Sequence, residues 1–390
     1  MFWGRQDVDE RRKQFVVRAA SRKEEMRSLC REFEISLPTG YKWLNRYKAT
    51  GRLDAVVEQS RRPHKSPNKT APEIEQKVIE LRKARPDWGA PKLQVLLKAD
   101  KIELPVVTIH RILLRNALVR ERDRHQQATL RYEREKPNEL WQMDFKGMPP
   151  ELSSEVLPLS VLDDHSRYIV GLRAMPGTKG EPVRSYLEQT FIENGVPEAM
   201  LVDHGTPWWN ANHPWGLTTL AVWLMKQGIR LHFSGIRHPQ TQGKVESLHR
   251  TIERAWRVRG GPADASGWPQ WLHTIREEYN NVRPHEALDM ATPASRWHPS
   301  AKKFSAHPDA WDYPSGAPVR SVNPSGQLQL ANRHYTITRV LAKERVMLQP
   351  FAEEKIAVIY RNTIVREIDL RTGQSFPVSF NPYRELFSEA

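Results

Sequence analysis

Apolar positions recur along this chain with two periods, and the change from one to the other marks its organisation. Between residues 10 and 50 the spacing is helical. Phe15, Val16 and Ala19 form one stripe, and Met26, Leu29, Cys30 and Phe33 form another at i, i+3, i+4 and i+7. Ile35 opens a short turn. Leu37 and Pro38 start a further helix, proline being tolerated in a first turn, and Gly51 is its expected stop. Tyr41, Leu44 and Tyr47 are expected to face inward, and Thr39, Lys42, Asn45 and Arg46 outward. Helix, short turn and helix with a polar, basic outer face is a helix-turn-helix pattern; an ordinary three-helix bundle shares its periodicity.

Residues 60–70, SRRPHKSPNKT, have no apolar period and read as a basic linker. Arg61, Arg62 and His64 suit either an arm in the minor groove or a plain tether. The helical theme then repeats. Ile74, Val78 and Leu81 are periodic, Trp88 is an expected core anchor, and VTIHRILLRNALV after Pro105 predicts a helix presenting Thr108, His110, Arg111 and Arg115 outward. This reads as a second helix-turn-helix, followed by a charged connector over 119–140.

Beyond the connector, short apolar strands alternate with helices. ELWQMDFKG, the pair within VLPLSVLDDHSRYIVGLRA, AMLVDHGTP and IRLHFSGI read as strands. KGEPVRSYLEQTFIENG, LTTLAVWLMKQG and TQGKVESLHRTIERAWR read as helices, predicting a mixed sheet with helices on its faces. From about residue 320 the period becomes two, with an expected hairpin turn at Asn362-Thr363, and several short strands in roughly 55 residues predict a small barrel.

Charge sharpens this division. The net charge is +14, with 31 Lys and Arg against 19 Asp and Glu in residues 1–135, so nearly all the basic excess is N-terminal. A polyanion docking on the helical modules is the expected partner, solubility charge being the plainer alternative. Mean hydropathy is −0.66 and no stretch approaches a membrane span. The first residues lack the apolar core of a secretory leader. The lone Cys30 excludes an internal disulfide and a cysteine-based zinc site, and it lies in an apolar stripe. No HExxH and no phosphate-cradling glycine loop is present, so no nucleotide cofactor is expected.

Three acids occupy unusual places. Asp144 and Asp203 each end an apolar strand, and Glu246 stands in a helix just after a glycine, among Lys244, His249 and Arg250. Strand ends gather at one edge of an α/β sheet. Three carboxylates there would repel, and a divalent cation removes that cost, with hard oxygen donors favouring Mg²⁺ or Mn²⁺. Two such ions about 4 Å apart can activate a water or a 3′-hydroxyl and stabilise a leaving oxygen. Acids at strand ends are also common as caps and turns.

WQMDF, VLDDHSRYIVG, VDHGTPW, HPQTQGKVESLHRT and YNNVRPHEAL, in that order, resemble the DDE transposases of insertion sequences, in the retroviral-integrase-like superfamily. YKWLNRY, SRRPH and WGAPKL resemble that family's N-terminal half, so the likeness spans about residues 10–300. It implies a multidomain chain: all-α helix-turn-helix modules over 8–59 and 71–120, joined by the linker 60–70; a connector over 121–136; an α/β RNase H-like core over 137–300; and a small all-β SH3-like barrel over 320–375. It makes Asp144, Asp203 and Glu246 the catalytic, Mg²⁺-binding triad, with two ions per site and Mn²⁺ able to substitute. Asp163 and Asp164 match a turn outside that triad. His238, Gln242, Lys244, His249 and Arg250 fall around the glutamate motif as expected DNA contacts.

Two departures stand out. Between Asp203 and Glu246 lie 42 residues, where such relatives have about 35, an excess of one loop. The Trp-rich stretch WWNANHPWG is the expected insertion, stacked on DNA bases or packed on the core. His204 stands where relatives commonly have Asn. The resemblance implies a transposase that binds the terminal inverted repeats of its element and cuts and joins DNA. Partners are double-stranded DNA and at least one further copy of the chain, with no membrane and a cytoplasmic, nucleoid-associated location in a prokaryote. A DNA-binding relic and a metal nuclease without joining are the competing readings; all three acids are present, against the relic.

Overall fold

The computed structural model describes residues 5–57, 70–119, 133–147, 156–210, 216–233, 243–330 and 332–377. It separates into two compact units, Met1–Ala71 and Pro72–Ala390.

The first unit holds α1 (Arg5–Ala20), α2 (Met26–Glu32) and α3 (Leu37–Thr50). Phe15, Val16, Leu29, Cys30, Leu44 and Val56 are buried together, and the Phe15 ring meets Phe33 and Trp43 edge-on at 5.4 and 5.7 Å. The Ser36 hydroxyl caps α3 by accepting from the Thr39 amide, and Gly51 ends it in the left-handed region at φ 68°. The Tyr41 reading needs correction: its ring is exposed. The inward face of α3 runs through Gly40 and Leu44, with Trp43 and Tyr47 packed beside them, which turns position 41 outward. Lys42 and Asn45 are exposed as expected, while Thr39 and Arg46 are half-buried, Thr39 bonded to Ser36.

The second unit opens with α4 (Pro72–Ala84), α5 (Ala90–Ala99) and α6 (Val106–Arg115), packed around Val78, Trp88, Leu93, Leu97, Ile109 and Ile112. His110 and Arg111 are exposed on α6 and Thr108 is half-buried; Arg115 is exposed but pairs with Glu75 at 3.1 Å.

A five-stranded sheet follows, built from β1 (Leu140–Phe145), β2 (Leu157–Asp163), β3 (Ile169–Met175), β4 (Ala199–Val202) and, after the short β5 (Trp209–Asn210) and β6 (Gly216–Leu217), β7 (Arg230–Phe233). Its order is β3-β2-β1-β4-β7, with the first three strands antiparallel and β1, β4 and β7 parallel. One face is covered by α7 (Gly180–Asn194) and α8 (Thr219–Lys226), whose Val183, Leu187, Phe191, Ala221 and Leu224 pack on Trp141, Met143, Met200 and Val202. The other carries α9 (Gly243–Arg259) and α10 (Trp268–Asn281), whose Leu248, Ile252, Leu272 and Ile275 pack on Leu162, Ile169 and Leu172. Strand alternation makes this possible, because Trp141 and Met143 point one way while Gln142 and Asp144 point the other.

The C-terminal strands are β8 (Val319–Ser321), β9 (Gln327–Leu330), β10 (Arg333–Thr336), β11 (Arg345–Ala352), β12 (Lys355–Tyr360), β13 (Thr363–Asp369) and β14 (Gln374–Phe376). They form an open antiparallel sheet, β14-β13-β12-β11-β8, and the hairpin β9–β10; among the described residues no barrel closes. The β12–β13 turn is one residue earlier than expected, at Arg361-Asn362, since Tyr360 pairs with Thr363 and Arg361 takes φ 53°. Thr363 accepts from the Leu231 amide at 3.2 Å, so this module caps the outer edge of β7. No described helix is long and apolar enough to cross a membrane.

Asn280, fully buried on α10, completes the start of β3: its Oδ1 accepts from the Ile169 amide at 2.8 Å and its Nδ2 donates to the Ile169 carbonyl at 3.1 Å. Asn280→Ala strands the Ile169 amide and leaves the Ile169 carbonyl to Arg276 alone. Chemical denaturation of the variant is expected to show a loss of about 2–4 kcal/mol.

Candidate active site

The register of the parallel strands decides which acids meet. Leu140 lies beside Ala199 and Gln142 beside Leu201, and the same offset carried forward brings Asp144 level with Asp203 on the same face. Helix α9 packs against β1 and β2 on that face and carries Glu246 in its first turn. The electrostatics agree. Burial first, then the charge of Asp203 and, more weakly, that of Glu246, push the Asp144 carboxyl up to about 7, against opposing pulls from the Phe145 amide and Lys146. Two neighbouring carboxylates thus act on a third that is mostly withdrawn from water.

Each acid is held differently. Asp203 accepts from the Gly205 amide at 3.0 Å, and a Cβ on Gly205 would stand 2.8 Å from its Oδ2, so any larger residue there would shift this carboxylate. Lys146 is tied to Glu253 of α9 at 3.2 Å, fastening the end of β1 to the helix. The start of α9 is fixed by Asp164, a buried carboxylate in the β2–β3 turn. It accepts from Lys244 Nζ at 2.5 Å, from Gln142 Nε2 at 2.8 Å and from the Arg134 amide at 2.9 Å, while Gln142 Oε1 accepts from the Val245 amide at 3.4 Å. Glu246 and Asp144 are thereby registered through Lys244, Asp164 and Gln142. Asp163 accepts from the Asn138 amide and from the Ser166 amide and hydroxyl, which closes the turn. Both acids of DDHSR brace the site from outside it.

Two expected DNA contacts need correction. Lys244 points inward to Asp164, and burial lowers its pKa to about 8 despite that partner. His249 is 5% exposed: its Nε2 lies 3.1 Å from Ser160 Oγ and its Nδ1 3.8 Å from Asp144 Oδ2. Burial and Lys146 hold its pKa down near 3, so the ring is neutral beside Asp144 and makes no ion pair. The spacing of Val245, Leu248, His249 and Ile252 is itself the inward pattern of a helix. Arg250 is exposed one turn beyond Glu246, and Arg254, not singled out from the sequence, is exposed one turn further along the same ridge. Arg61, Arg62, His64, His238 and Gln242 lie outside the described residues.

The Trp-rich loop packs inward where it is described. Trp208 is buried 6.2 Å from Phe145, and Trp209 sits edge-on to Phe233 at 5.3 Å and to His204 at 5.4 Å. Residues 211–215 of that stretch lie outside the described residues.

The donor set suits a hard divalent cation: three carboxylates, one of them held partly protonated only by burial and its neighbours. As they stand, no three His, Cys, Asp or Glu side chains among the described residues are drawn close enough to enclose an ion. An ion would therefore have to draw the three acids together.

Comparison with known proteins agrees with this geometry. Residues 134–239 and 227–293 both match the integrase core domain, residues 11–64 a helix-turn-helix domain, and residues 39–113 a homeodomain-like domain. The chain carries helix-turn-helix and integrase-core domains and is similar to proteins of insertion elements. It is 24% identical to an uncharacterized 31.7 kDa protein of insertion element IS407 from Burkholderia multivorans, over 56% of this chain and 78% of that one. An uncharacterized 39.2 kDa protein of insertion element IS476 from Xanthomonas euvesicatoria is 24% identical over 62% of this chain and 70% of its own length. An uncharacterized protein of insertion element IS136 from Agrobacterium fabrum is 27% identical over 36% and 73%. In this integrase-core chain, all three candidate acids lie within the matched segments.

Two outcomes follow. Unfolded, the Asp144 carboxyl titrates near the ordinary aspartate value of 3.8, and folded near 7. Between those values only the native state holds the proton, so this group's contribution to stability falls as pH rises from about 4 to 7. At pH 8 without divalent ions, urea titration is expected to show Asp144→Asn more stable than wild type by about 1–3 kcal/mol, and Mg²⁺ to raise the melting temperature of wild type alone. Lys244→Met leaves Asp164 buried and unpaired; urea titration is expected to show a loss of about 3–5 kcal/mol.

Proposed function

We propose that the chain is an active transposase that binds the ends of its insertion element and carries out cleavage and strand transfer at one site formed by Asp144, Asp203 and Glu246. The observation that carries this reading is the strand register that brings Asp144 level with Asp203 on the face crossed by α9, which carries Glu246 in its first turn, within segments that match the integrase core.

In this reading the three carboxylates hold Mg²⁺, with Mn²⁺ able to replace it and two ions per site. The bound cation supplies the Lewis acidity and lowered water pKa that phosphodiester displacement needs. The protein's own part is placement. Gly205 keeps the Asp203 carboxylate forward, Asp164 and Lys244 set the start of α9, and the neutral His249 leaves Asp144 its negative charge for the cation. Arg250 and Arg254, exposed beside Glu246, steady the phosphates of the bound strand. Water displaces the 3′-hydroxyl at the element end, and that freed hydroxyl then displaces a target-strand oxygen in a second in-line step.

Recognition falls to the helical modules. Lys42 and Asn45, with Thr39 and Arg46 beside them, read the major groove in the first, and Arg111 with Thr108 in the second, where Arg115 must first leave Glu75. Arg61, Arg62 and His64 span the minor groove between them, and His238 and Gln242 join Arg250 near the cut. Joining two ends needs at least two copies of the chain on DNA.

The test is strand transfer in vitro, with DNA flanking the gene as the end substrate and Mg²⁺ or Mn²⁺ present. Wild type is expected to give joined product, Glu246→Gln to lose at least about 10³-fold in rate by removing a charge the site depends on, and Gly205→Ala to fall between them. Nicks without joining would favour a nuclease. Equal activity in wild type and Glu246→Gln would mean that the third acid is misassigned.

A further inference from the structure

Asp87 lies in the turn between α4 and α5, yet its partners belong to the integrase core. Its carboxylate is 2% exposed. It accepts from Arg259 through Nε at 2.7 Å and Nη2 at 2.5 Å, and from Arg283 Nη1 at 3.0 Å. Arg259 also grips Glu278 of α10 with both terminal nitrogens, at 2.6 and 2.8 Å. The Arg283 guanidinium lies over the ring of Trp88, the buried anchor of the second helical module, 5.5 Å from its centre. At the rim, Lys92 of α5 meets Glu286 at 3.3 Å.

Arg259 is the last residue of α9, and Glu246 stands near the first. One helix, about 20 Å between those positions at ~1.5 Å per residue, therefore runs from the clamp to the candidate site. On the other side, Asp87 is followed at once by Trp88, around which α4, α5 and α6 close. A buried carboxylate bonded by two guanidiniums has few alternative geometries, since releasing either arginine strands charge away from water.

We infer that Asp87 is a positioning residue that locks the second helix-turn-helix module to the end of α9, so that the bases read by α6 and the phosphodiester cut beside Glu246 lie at a fixed spacing. The module acts as a ruler as well as a reader. This rests on the proposed cleavage function for its meaning in DNA, but the lock itself can be measured without DNA.

Two readouts separate those layers. Spin labels are placed on Lys98→Cys and His273→Cys, both exposed positions on α5 and α10, while the buried Cys30 takes no label. Electron–electron dipolar spectroscopy is then run on the full chain, on Asp87→Asn and on Arg283→Gln, which leaves the Arg259 contact in place; melting curves confirm that each is folded. One narrow distance in the parent and a distribution at least twice as wide in both variants is the expected result. Equal widths would overturn the lock. On end DNA with Mn²⁺, the parent is expected to cut at one phosphodiester and the variants at several neighbouring ones with similar end binding. A single unshifted cut in the variants would overturn the ruler. No cutting by the parent at all would fault the proposed function instead, leaving the spin-label widths to decide the lock.

Discussion

Like charges brought toward one edge of a sheet repel, and this constraint organises the second unit. Asp144 and Asp203 are aligned by the parallel pairing of β1 with β4, and Glu246 arrives on the helix laid across that pairing. Burial first, and then that repulsion, push the Asp144 carboxyl up to about 7. Such an arrangement is costly while the acids stand alone, and a cation shared among them would offset that cost.

The surroundings are built to bear that cost without relaxing it. Asp164 with Lys244 and Gln142 at one end of α9, and Asp87 with Arg259 and Arg283 at the other, pin the helix at both termini. Both devices are buried ion pairs, which contribute less to stability than to choosing one geometry among several. Small adjustments then serve the acids directly: a glycine where a methyl would push Asp203 away, and a histidine kept neutral where a cation would neutralise Asp144.

Much of this was legible in the residues. Strand ends predicted Asp144 and Asp203, the helical period predicted α9, and the ordered motifs predicted the core. What escaped was decided by distant partners. Lys244 and His249 stood among basic residues and read as surface, although the spacing from Val245 to Ile252 already turned position 249 inward. Lys244 was drawn in by Asp164, which local sequence pairs with nothing. Asp87 was not singled out from the sequence, because its arginines lie 172 and 196 positions further on. Tyr41, expected inward, is turned outward because close packing of Gly40 against Cys30 and Phe15 sets the rotation of α3. The terminal strands alternate as a barrel would, but pairing order is set by contacts between strands, and among the described residues the sheet stays open.

The central claim is that the three acids share a metal ion, and the most direct measurement is anomalous diffraction from crystals grown with millimolar Mn²⁺ at pH 8. Peaks lying between the carboxylates of Asp144, Asp203 and Glu246, with those side chains drawn together, are the predicted result. Well-ordered acids at that edge with no peak between them, and manganese bound elsewhere on the chain, would contradict it.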